Sequence, residues 1–157
     1  MKPLQDVIQL HSKNNSLLID CQHNTPAISY YGKKLSQYTS AQMIGLLATR
    51  QEAKCSLVIE APISLSPLLG QGFTGAPGLE VLNSEFAWST GGELQTISQT
   101  KHNRVVFESV DAIRQIKVIH TLELDVSSDV LSASTEVINL SHTPLIINWC
   151  AAPTIPL

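Results

Sequence analysis

Ile116-Lys117-Val118-Ile119-His120-Thr121-Leu122-Glu123-Leu124-Asp125-Val126 carries the plainest periodicity in the chain. Its even positions read Ile, Val, His, Leu, Leu, Val, and its odd positions read Lys, Ile, Thr, Glu, Asp. Successive side chains of a strand point to opposite faces, so this pattern sets one face on a core and the other toward water. Ser127-Ser128-Asp129 then reverses the chain, and Leu131, Ala133, Thr135 and Val137 supply the next inward face. Thr143-Pro144 breaks the run ahead of a further strand, Leu145 to Cys150. With Arg104 to Val110 in front, these segments predict one antiparallel group.

A second group lies near the start. Asp6 to His11 and Ser16 to Asp20 flank Ser12-Lys13-Asn14-Asn15, a polar turn whose asparagines tolerate positive φ. Ala27 to Tyr31 follows another turn and ends at Gly32, which completes a three-stranded meander. Two antiparallel groups with apolar faces predict an all-β chain, an antiparallel β-sandwich. One short helix is expected over Ser40 to Thr49, where Thr39 and Gln42 fit a capping box and Met43, Ile44, Leu47 and Ala48 share a face. Residues Ile63 to Glu93 hold six of the eight glycines and read as a long loop with one short strand, Glu85 to Ser89.

The totals narrow the class of function. At 157 residues the chain suits one domain with its own core, and 43 % apolar with 15 % charged residues describes a globular protein. A net charge of −3 offers no broad basic field for nucleic acid, and no apolar run is long enough to cross a membrane as a helix. Met1 to Asp6 lacks the apolar stretch of a signal peptide, which makes the expected location cytoplasmic. Cys21, Cys55 and Cys150 are odd in number and widely spaced, and read as small buried apolar groups.

Few residues are arranged for chemistry. Gly70-Gln71-Gly72-Phe73-Thr74-Gly75 matches the dinucleotide fingerprint, but Pro67 before it and Pro77-Gly78 after it deny the helix that would hold a pyrophosphate. His11, His23, His102, His120 and His142 lack metal-ligand spacing, and His120, on the apolar face of its strand, reads as a hydrogen-bonded core histidine. No metal or other cofactor is expected. Glu123 and Asp125 alternate on one strand at ~7 Å, within range of a glycosidase carboxylate pair, yet a solvated strand face explains them more simply. Among the aromatics Trp149 reads as core, and Phe73, in the glycine-rich loop, as the best exposed candidate for stacking on a sugar face.

The wording of the sequence goes further than its periodicity. Leu10-His11, Asn15 to Asp20 and Ile28 to Leu35 resemble the opening of family 36 glycoside hydrolases, the bacterial and fungal α-galactosidases. Gly70 to Glu80 resembles that family's glycine-rich loop, Val137-Ile138-Asn139-Leu140 one of its strands, and Ala152 to Leu157 the end of the same stretch. The resemblance implies a piece of a β-supersandwich standing before a (β/α)8 barrel, which carries the family's two catalytic aspartates and would lie outside residues 1–157. No catalytic residue is therefore expected here, and the chain alone is expected to be inactive. Many members carry an Asp in the loop that reaches the sugar site of a neighbouring subunit. Phe73 stands at that position and Gly75 at that of a following Arg, so the polar contact does not carry over. Gln71, Phe73 and Thr74 are the residues the resemblance places at a substrate entrance. The expected role is a scaffold for hydrolysis of terminal α-galactosides, with carbohydrate as the partner and a homo-oligomer as the assembly. The alternative is a stand-alone carbohydrate-binding or structural interaction module.

Overall fold

The computed structural model describes residues 6–22, 25–35, 64–71, 73, 75–82 and 91–155. The expected helix over Ser40 to Thr49 and the strand Glu85 to Ser89 lie outside the described residues, as do Trp88 and Cys55. Strands β1 (Val7–His11), β2 (Asn15–Asp20) and β3 (Ala27–Lys33) form the predicted meander, all antiparallel, in the order β1-β2-β3. Strands β5 (Glu93–Lys101), β6 (Arg104–Asp111), β7 (Ile116–Leu124) and β8 (Leu131–Asn139) form a four-stranded antiparallel sheet in chain order. Between them in sequence runs β4 (Leu79–Leu82), which pairs with β9 (Ile146–Cys150) in a separate ribbon.

The alternation from Ile116 does what it predicts. Ile116, His120, Leu122 and Leu124 are buried, while Lys117 on the other face reaches Glu108 of β6, and Glu123 lies 3.9 Å from Arg104. Leu122 and Leu124 meet Val105, Phe107 and Leu94 of their own sheet and Ile8, Leu10, Leu17, Ile19 and Ile28 of the meander. The meander therefore covers one part of the four-stranded sheet's inner face, which makes a sandwich with a common core. A smaller cluster of Leu68, Leu79, Val81 and Ile116, with Val118, Val137 and Leu145 against it, places the β4–β9 ribbon over the rest of that face.

Several expectations need correction. The strand Leu145 to Cys150 leaves the four-stranded group and pairs with Leu79 to Leu82 instead. Trp149 is 55 % exposed, not core. The reason is a bulge: Glu80 pairs with Trp149 and Val81 with Ile147, so Asn148 is an extra residue. One extra residue shifts every later side chain to the other face, and Trp149 leaves the side that Leu145 and Ile147 share. The same device hid β5. Its inward residues Leu94 and Ile97 are three apart because Gln95 is bulged out of the register, so no period of two was visible. Val126 is exposed because β7 stops at Leu124, and Cys150 is exposed on the uncovered ribbon. Cys21 is buried as expected, and its thiol is pushed up to about 12 by burial, with Asp20 and Asp6 adding to the effect.

Candidate functional site

The glycine-rich loop lies over the four-stranded sheet between the meander and the ribbon. Ser64 to Leu68 enters as an extended segment, tied to its surroundings where Leu65 N donates to Pro26 O and Thr154 N donates to Leu65 O. A single 3₁₀ turn, Leu69–Gln71, follows, closed by Gln71 N donating to Leu68 O. Phe73 N returns to the same carbonyl at 3.4 Å, and Gly78 N donates to Pro67 O at 2.8 Å, which folds the loop into a closed bend. Three residues of 3₁₀ helix leading into β4 are not the strand-turn-helix that a dinucleotide requires, so the Gly-x-Gly-x-x-Gly match has no such role.

Two glycines have steric work in this bend. A Cβ on Gly78 would sit 2.6 Å from Ser66 Oγ and 3.1 Å from Ser66 Cα, so the two loop ends approach too closely for a side chain. A Cβ on Gly75 would sit 2.6 Å from Phe73 Cζ, because the Phe73 ring lies back over Gly75. Phe73 is therefore half-buried on its own loop rather than freely exposed. Gln71 is half-buried too, and its amide Nε2 donates to Gly92 O at 3.3 Å, so it braces the loop against the start of β5. Thr74 lies outside the described residues.

Beneath the loop is a cavity of about 40 Å3. Leu65, Leu68, Leu79, Ile116 and Val118 make most of its wall, and Ser64, Gln71, Asp111 and His120 bring polar groups to it. Ligand pockets run to roughly 300–1,000 Å3, whereas a water needs roughly 10–15 Å3, so this space suits water and excludes a sugar ring. Ser64 Oγ is buried there with no partner, a position that a bridging water would satisfy.

The titratable groups around the loop are structural. Thr135 Oγ1 donates to Ala151 O at 2.9 Å, so it accepts from His120 Nδ1, 3.1 Å away, and the imidazole carries its hydrogen on Nδ1. Burial lowers the His120 pKa to about 4, and the ring is neutral at neutral pH. This is the hydrogen-bonded core histidine expected from the strand pattern. Asp111 accepts from Gly91 N through Oδ2 and from Ile113 N and Arg114 N through Oδ1, which organises the β6–β7 turn and holds the segment ahead of β5. Glu123 and Asp125 do not form a catalytic pair. Asp125 lies beyond the end of β7, where the backbone and hydroxyls of Ser127 and Ser128 all donate to it and hold its carboxyl below the usual carboxylate range. A permanently ionised turn cap cannot serve as a general acid. Among the described residues no group of three or more His, Cys, Asp or Glu could hold a metal ion.

The fold is thus a β-sandwich domain with a braced loop over a water-sized cavity. The sequence model of the glycosyl hydrolase family 36 N-terminal domain matches residues 24–157, and the chain belongs to that family. It is thus a non-catalytic N-terminal domain of a glycoside hydrolase. No curated protein matches it. Among solved structures it is similar to the crystal structure of the α-galactosidase from Lactobacillus brevis, with a TM-score of 0.66 and 16 % identity, over 93 % of this chain and 23 % of that one. The chain spans about a quarter of the length of that relative, and at this identity the likeness is one of fold. No helix among the described residues is long and apolar enough to cross a membrane.

Proposed function

We propose that this chain is the N-terminal part of a cytoplasmic α-galactosidase-type enzyme, in which it supports assembly and shapes the substrate entrance of a catalytic barrel that lies outside residues 1–157. The family match over residues 24–157 carries this reading. The solved relative's name supplies the substrate class, α-galactosides. Gln71, Phe73 and Thr74 are the entrance residues. Gln71 is braced by its hydrogen bond to Gly92 O, and a half-buried Phe73 ring retains surface for a sugar face. In the enzyme that contains this domain, Phe73→Ala should raise KM for a trisaccharide such as raffinose and leave that for a small aryl galactoside nearly unchanged. Equal KM values on both substrates, with a lowered melting temperature, would mean that the ring only packs its own loop. The chain by itself should not hydrolyse a chromogenic α-galactoside.

A homo-oligomeric or interdomain contact is favoured by a different observation. The outer face of the β4–β9 ribbon leaves Leu82, Ile146 and Trp149 40 %, 61 % and 55 % exposed. Adjacent exposed apolar side chains of this size mark contact surfaces. Trp149→Ser should reduce assembly in size-exclusion chromatography without changing the fold.

A further inference from the structure

At the other end of the four-stranded sheet, where β5 turns into β6, a cleft of about 690 Å3 opens between that hairpin, the end of β1 and the residues after β3. His11, Lys34, Lys101 and His102 all line it, and none of its lining residues is acidic. Such a concentration stands out on a chain with a net charge of −3. The carboxylate that hydrogen bonds tie to this wall among the described residues is Asp129, which accepts from Ser12 Oγ and from the backbone and side-chain amides of Asn14. Those three hydrogen bonds fix it to the turn.

The four cationic-type side chains divide into wall and donors. Leu35 N donates to Ser16 Oγ, whose hydroxyl then donates to His11 Nδ1, leaving His11 Nε2–H to donate to Gln9 Oε1. Burial, then Lys34 and His102, hold the His11 pKa below its ordinary value, so this imidazole is a neutral wall. Lys34 Nζ donates to Ser12 O at 2.8 Å, which fixes its ammonium beside the cleft and leaves further N–H groups unused. Lys101, the last residue of β5, and His102, in the hairpin turn, have no side-chain hydrogen bond or ion pair among the described residues. The cleft thus presents one anchored ammonium and, among the described residues, one ammonium and one imidazole without a hydrogen-bond or ion-pair partner, with the neutral polar side chains of Thr100 and Asn103 beside them.

We propose that this cleft is a binding site for a small oxyanion, held by Lys34, Lys101 and His102. Ammonium and imidazole N–H groups around one cleft, with no carboxylate among its lining residues, can provide charge-assisted hydrogen bonds to phosphate-type oxygens. The volume exceeds that of a bare phosphate and lies within the usual range for small-molecule sites, so the anion can be free phosphate or the phosphate of a sugar phosphate. The inference does not rest on the glycosidase reading.

The test is a titration of the 15N-labelled protein in low-salt buffer with inorganic phosphate, a hexose phosphate and the unphosphorylated hexose. Saturable amide shifts centred on Thr100 to Asn103 with both phosphates, and none with the neutral hexose, are expected. Tighter binding of the hexose phosphate would assign Thr100 and Asn103 to its hydroxyls, and equal binding would assign the site to phosphate alone. Lys101→Ala with His102→Ala should weaken binding at least about fivefold, and Lys117→Ala, on the sheet's outer face, should leave it unchanged. These hairpin positions are exposed, and an unshifted melting temperature shows that the fold is intact. Absence of saturable shifts, or shifts that persist undiminished in the double variant, would overturn the proposal.

Discussion

Replacing Leu122 with Ala tests the sandwich at its centre. Leu122 is fully buried, paired with Val105 on one side and Ala133 on the other, and faces the meander core. The substitution deletes about three carbon groups, which at about 0.8 kcal/mol each accounts for about 2.4 kcal/mol of lost transfer free energy. The cavity left between two sheets that cannot collapse freely adds to this, and the total falls within about 2–5 kcal/mol. With a urea dependence of about 2 kcal/mol per molar, the midpoint of unfolding should drop by about 1–2.5 M. Lys117→Ala is the control. It sits on the same strand, five residues away on the other face, with its ion pair to Glu108 near 30 % exposed on both sides. Such a pair contributes less than about 1 kcal/mol, so the midpoint should move by less than about 0.5 M. Equal midpoints for the two variants, by circular dichroism and tryptophan fluorescence alike, would refute the assignment of faces.

Other consequences follow from single groups. Because burial lowers the His120 pKa from 6.5 to about 4, the folded state resists protonation that the unfolded chain accepts below pH 6.5. Stability should be full above that pH and fall by about 2 kcal/mol between pH 7 and pH 5; His120→Gln should flatten this part of the profile in pH-resolved urea melts. Gly78→Ala forces a Cβ against the Ser66 backbone and should cost about 1–3 kcal/mol, while Gly91→Ala meets nothing closer than 4.0 Å and should stay within about 0.5 kcal/mol, as thermal melts of the pair will show. Asp129 combines a φ of 60° with hydrogen bonds to Ser12 and Asn14. Asp129→Asn, which tolerates that backbone, should therefore lower the melting temperature less than Asp129→Ala.

The sequence by itself determined the elements whose information is local. Period-two alternation from Ile116 to Leu124 assigned a strand and its buried face, the Ser12 to Asn15 turn joined β1 to β2, and the words of the glycine-rich loop led to the family. His120 was legible as a core residue because its strand position settled its face. Tertiary structure alone decided whatever depended on register or on distant partners. The extra residues Gln95 and Asn148 break the alternation without any sequence mark of a bulge, so local periodicity neither marks β5 nor gives the face of Trp149. The partner of β9 is a four-residue strand more than sixty positions earlier, and no local propensity encodes such a pairing. Phe73 looked exposed until Gly75 proved to be the surface its ring lies on. The cationic cleft draws on residues 11, 34 and 99–103. Those charges are ordinary in sequence and become a cluster only because burial of two apolar sheet faces brings the ends of β1, β3 and β5 together.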